Sequence, residues 1–135
     1  MPASDFLDDA LLDAVFQDVD PAAPLQLATV YVALFTAAPN KAGGGSEVVG
    51  NGYARFQTAI SDWATTGSPV SASNVNPFVF PEATPAGWGT IVAAAVFDAL
   101  SGGNMLFFDT LNSSVDVGAG ETFAFSVGAL SFTGA

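Results

Sequence analysis

The chain has 135 residues, half of them apolar, with 12 Phe, 14 Gly and 8 Pro, and its 13 acidic residues outnumber the two basic ones, Lys41 and Arg55, for a net charge of −11. That much apolar surface excludes a disordered chain, and two cations among 13 acids exclude nucleic-acid binding, which requires Lys or Arg to neutralise phosphates; anionic membrane surfaces are disfavoured for the same reason. There is no His and no Cys, so the commonest general base, zinc ligand and thiol nucleophile are missing, Ser-His-Asp catalysis is excluded, and no disulfide frame can form.

The length fits one domain, expected as a helical segment over residues 1–20 and a β module over 25–135. Ser4 and Asp5 suit a helix N-cap, and the spacing predicts an amphipathic helix from Ser4 to Gln17. Leu7, Leu11, Ala14 and Val15 share one face, opposite Asp5, Asp9 and Asp13. Leu12 and Phe16 widen the apolar arc, which marks them as candidates for contact with the sheet or with a partner. The absence of a basic start and an apolar run broken by Asp8, Asp9 and Asp13 do not fit a signal peptide, and the apolar run Ile91 to Phe97 is too short to span a membrane as a helix. A chain made in the cytoplasm and soluble is the expectation.

After the loop DVDPAAP, the segment TVYVALFT (Thr29 to Thr36) is β-branched and aromatic and apolar on both faces, as in a central strand or one lying under another chain. Pro39 to Gly52 is expected as a loop and Tyr53 to Ile60 as a strand. In the polar stretch Ser61 to Asn76, one short strand is expected near Pro69 to Ser73, followed by another at Phe78 to Phe80. Gly89 to Asp98 reads as a second buried strand whose repeated Ala residues leave room for something bulky. A turn at Leu100 to Asn104, a strand to Leu111, a turn at Asn112 to Ser114 and a strand at Val115 to Val117 follow. The turn GAGE at Gly118 to Glu121 precedes TFAFSV, which alternates strictly and should be half-buried, and Leu130 to Thr133 closes the chain. Short strands at regular spacing predict a mainly β fold, an antiparallel β-sandwich or jelly-roll-like module carrying one N-terminal amphipathic α-helix.

Sites of chemistry are sparse. GGGS lacks the Lys and the helix of a phosphate loop. Asp18-Val19-Asp20 lacks the later ligands and the glycine of a calcium loop, and Pro21 follows directly. Asp62, Glu82, Asp98, Asp109 and Glu121 are carboxylates of the type a glycosidase needs, but nothing in their spacing sets two across a cleft. No catalytic residue, metal ligand or cofactor is assigned. Large aromatics remain: Tyr31 and Phe35 on the doubly apolar strand, Trp63 beside Asp62, and Trp88 between two glycines. Such residues serve as core or interface anchors more often than as platforms for sugar rings. With Leu12 and Phe16 they form the set of interface candidates.

Taken in order, the acidic N-terminal helix, YVALFTAAP, GNGYARF, FVFPEATPAGWGTIVAAAVFDALSGGNMLFFDTL and VDVGAGETFAFSVGALSF resemble a family of short phage proteins labelled tail-fibre or minor structural proteins. The sharpest parts are Gly52-Tyr53-Ala54-Arg55, FPEAT, Trp88-Gly89-Thr90, Phe97-Asp98-Ala99 and Gly102-Gly103-Asn104 with Met105-Leu106, and the likeness covers nearly the whole chain. The resemblance implies a virion structural protein and no reaction. A long repetitive fibre does not fit a short chain without repeats. A capsid decoration or cement protein on the head surface therefore leads, as a homotrimer bound to the major capsid protein, with a short tail fibre, tail tip or adaptor among tail proteins as the alternative. Each stable contact would bury roughly 800 Å² per partner. A host-glycan module is the third reading and a carboxylate enzyme the fourth. Close-packed acids would make assembly tighter at mildly acid pH or with divalent cations.

Overall fold

The computed structural model describes Ser4, residues 29–66 and residues 71–133; the expected helix, with Leu12 and Phe16, lies outside the described residues apart from Ser4. Ten strands follow in order: β1 (Thr29–Ala37), β2 (Ser46–Glu47), β3 (Phe56–Ala59), β4 (Trp63–Thr66), β5 (Ser71–Asn74), β6 (Phe78–Val79), β7 (Gly89–Phe97), β8 (Met105–Val117), β9 (Ala124–Phe125) and β10 (Ser131–Thr133). All of their pairings are antiparallel. The main sheet runs β2-β1-β7-β8. β3 also pairs with β1, along the edge that β2 occupies further on, because β7 takes the other edge. A three-stranded sheet, β10-β5-β4, and a two-stranded ribbon, β6-β9, complete the set.

β1 and β7 are the central strands that their sequences predict. Side chains alternate across a strand, so two buried faces demand apolar residues at every position. Val32 and Leu34 of β1 and Ile91, Ala94 and Val96 of β7 point to the inner face and join the larger core cluster. Ala33 and Phe35, with Ala93 and Ala95, point to the opposite face and form a second cluster with Met105. Ser4 lies against the same end of β8: its N–H donates to Leu106 O at 2.7 Å and its hydroxyl to Met105 O.

The inner face is covered by aromatic rings from the ribbon and its flanks. Phe80 meets the rings of Tyr53, Phe56, Trp88, Phe123 and Phe125 at centroid distances of 5.8–6.5 Å. Phe123 and Phe125 are buried while Ala124 between them is exposed, the alternation expected for TFAFSV. The regular element there is only two residues long, since its partner β6 is equally short.

Several elements differ from the sequence expectation. The expected loop Pro39 to Gly52 contains the short strand β2, because Ser46 and Glu47 pair with Ala37 and Phe35 of β1. The segment Tyr53 to Ile60 is a strand only over Phe56–Ala59, because the Tyr53 N–H closes a turn onto Gly50 O at 3.0 Å instead of joining a ladder. The polar stretch holds two strands, β4 and β5, where one was expected. The expected turn at Asn112 to Ser114 is not a reversal, and β8 is continuous over 13 residues. Its register jumps there: Ala93 pairs with Thr110 and Ile91 with Val115, leaving Leu111–Ser114 opposite Val92 alone. The small polar residues therefore make a wide bulge, and Gly89–Ile91 of β7 supplies a partner for the far side.

Candidate functional site at the loop end of the sheet

The densest polar construction in the described residues stands where the loop before β3 meets the β7–β8 turn. The turn is built by Asp98, whose carboxylate accepts from the Asn104 backbone N–H at 2.7 Å and from Asn104 Nδ2 at 3.0 Å. Beside it, Arg55 enters from the loop with its side chain only 6 % exposed. Its Nε and Nη2 donate to the two carboxylate oxygens of Glu47, each at 2.8 Å, the fork geometry that suits a guanidinium. Its Nη1 donates to Ala99 O at 2.9 Å and Gly102 O at 2.8 Å. The guanidinium carbon lies 3.8 Å from the centroid of Phe97, which stacks in turn on Phe35.

Tyr53 ties this group to the core. Its hydroxyl donates to Glu47 Oε2 at 2.7 Å and accepts from the Leu34 N–H at 3.0 Å. Burial pushes its phenol well above the ordinary range, and the neighbouring Glu47 charge adds to the effect. One cation and one carboxylate thus link β2, the loop before β3 and the β7–β8 turn. A buried ion pair is tolerated when its remaining hydrogen-bonding capacity is met, and no buried side-chain polar atom among the described residues lacks a partner.

Two cavities flank the pair. One, of about 420 Å³, lies between Gly43–Gly45 with Lys41 on one side and Phe97, Asn104 and Met105 on the other. Gly45 lets the loop pass this close: at φ +73°, a Cβ there would fall 2.6 Å from Ala37 O. The other cavity, of about 320 Å³, lies among Val49, Tyr53, Arg55, Leu100 and Gly102. Its rim carries two exposed apolar side chains, Val49 at 86 % and Leu100 at 56 %. Both basic residues of this acidic chain line the cavities, Arg55 with its charge met by Glu47.

The sequence-derived residues take other places. Phe35 is buried on the outer face of β1 and Tyr31 is half-buried on the same strand, paired with Gln57 and Phe97. Trp88 is 6 % exposed, its Nε1 donates to Asn51 O at 2.9 Å, and its ring meets Tyr53 edge-on. Trp63 is half-buried, donates from Nε1 to Thr58 Oγ1 at 2.9 Å and packs on Phe78. Of the set, Phe35 reaches the loop-end site through Phe97, and Trp88 through Tyr53. Leu12 and Phe16 lie outside the described residues.

The carboxylates noted in the sequence mostly hold local backbone. Asp62 accepts from Ala59 N and Asn76 Nδ2, Glu121 from Gly118 N, and Asp109 from Thr110 N. No cluster of three or more metal-ligating side chains occurs among the described residues. Glu47 and Tyr53 were not among the site candidates read from the sequence, although Tyr53 and Arg55 fall within the motif Gly52-Tyr53-Ala54-Arg55. The signal available was Arg55 itself, a lone arginine in an apolar neighbourhood, which burial obliges to find an acid.

The chain matches the family model described as podophage GP4 fiber I protein gp80 over residues 2–133. No curated protein sequence matches it.

Proposed function

The chain belongs to the podophage GP4 fiber I protein gp80 family, and from that premise we propose that it is a non-enzymatic component of a phage fibre, carried on the virion and placed among tail proteins. The carrying observation is the family match over residues 2–133, because the family's description is of a fibre protein. The local use of Asp62, Asp98 and Glu121 in turn formation supports a structural role, since each carboxylate holds backbone or side-chain amides of its own surroundings.

The second reading, capsid decoration, draws on the compact build. The antiparallel sheets share one apolar core cluster, and apolar residues are exposed at the loop end, where subunits could meet. On either reading we take the working unit to be a homotrimer, with interface candidates Leu12, Phe16 and Tyr31 ahead of Phe35, Trp63 and Trp88, which pack among the chain's own residues. Immunogold electron microscopy of intact particles separates the readings. Label at the tail is the expected result; label spread evenly over the head would overturn the fibre placement in favour of decoration.

A further inference from the structure

Asn51-Gly52 is the only Asn-Gly pair in the sequence, and the fold places it at a seam. Both residues have positive φ, 54° and 80°, and Tyr53 N–H donates to Gly50 O at 3.0 Å, so residues 50–53 form a turn of the I′ type. The turn clasps the segment that leads into β7. Asn51 O accepts from Trp88 Nε1 at 2.9 Å and from Thr84 N at 3.0 Å, and Asn51 Nδ2 donates to Gly87 O at 3.1 Å.

We propose that Asn51 is a site of spontaneous deamidation, guarded by this clasp. The nucleophile is the Gly52 backbone nitrogen, which has no side chain beside it and donates no hydrogen bond among the described residues. After losing its proton it attacks Asn51 Cγ. A C–N bond forms, the C–Nδ2 bond breaks, and ammonia leaves with a proton from solvent. Water then opens the cyclic imide at either carbonyl and gives aspartate or isoaspartate. No oxidant, reductant or further reagent is needed. Ring closure requires the carboxamide to leave Gly87 O, so the reaction proceeds through opening of the turn.

The product cannot restore the bond to Gly87 O. Its carboxylate has no N–H to give Gly87 O and brings negative charge towards that carbonyl. Isoaspartate also adds a methylene to the main chain and displaces the carbonyl that holds Trp88 and Thr84. The inference does not depend on where in a particle the chain resides, but a protein not renewed after assembly accumulates such a change with age.

The test uses the full chain in mildly alkaline buffer, folded and in urea, followed by peptide mass spectrometry. The expected result is a gain of about one dalton, first at residue 51, and roughly tenfold or more faster in urea than in the folded protein. A first gain at Asn40 or Asn112, no gain at residue 51 in urea, or equal rates in both states would overturn the proposal. Asn51→Asp provides an independent check, with a lowered melting temperature and altered Trp88 fluorescence expected. An Asn51→Asp chain that melts and fluoresces like the parent would overturn the claim that deamidation opens the clasp.

Discussion

The inner face of the main sheet and its loop end are held by opposite kinds of force. On the inner face, Phe80 and the rings around it exclude water through area and shape, and no single orientation is indispensable. At the loop end, Arg55 holds three segments by donors aimed at particular oxygens, and each bond depends on the others remaining in place. Packing of the first kind should lose stability in proportion to what is removed. A network of the second kind should be sensitive to losing one partner and less sensitive to losing both.

Truncation at the centre of the ring cluster gives the largest effect. Phe80→Ala is expected to cost about 3–5 kcal/mol in urea unfolding; a loss below that of the loop-end variants would show that the core repacks and that the contrast is drawn in the wrong place. Arg55→Met comes next, at about 2–3 kcal/mol, less than a fully buried pair because Glu47 keeps a side-chain exposure of 24 %. Adding Glu47→Gln to Arg55→Met should recover part of that loss, and a strictly additive double variant would argue against a coupled network.

Tyr53→Phe is smaller, about 1 kcal/mol at neutral pH, for one hydroxyl that both donates and accepts. The same variant carries a pH signature. The folded chain keeps the Tyr53 proton above its ordinary value, so the contribution is complete below about pH 10, where the unfolded phenol titrates, and is lost as pH rises beyond it. Thermal melts between neutral and strongly alkaline pH should therefore fall more steeply for the parent than for Tyr53→Phe. Parallel curves would remove the hydroxyl from the account. Val49→Ser, on the exposed rim, should stay within about 0.5 kcal/mol of the parent; a larger loss would mean that the rim is part of the folded interior.

The two regions also differed in how far they could be read from sequence. TVYVALFT and GTIVAAAVF announce central strands because both of their faces are apolar, and Phe123 and Phe125 announce a buried face by alternation. The bulge in β8 carries the same Asn and Ser composition as a turn, and only the partner at Gly89–Ile91 distinguishes them. The Arg55 network spans chain separations of 8 to 47 residues, beyond any local pattern. Trp88, framed by glycines, looked available to a partner but has its indole N–H bound across the clasp to Asn51.

The break in β8 has a consequence for many copies held close together. Among the described residues β8 is the last strand of the main sheet, and an uninterrupted border strand is a template on which another chain can polymerise. Here the row of outward amides is thrown out of step at Leu111–Ser114, and exposed Asp109 and Asp116 stand on either side of the break. Two such borders brought together would mismatch in spacing and meet charge with like charge. The break therefore makes the stretch around Leu111–Ser114 a poor template for ribbon growth.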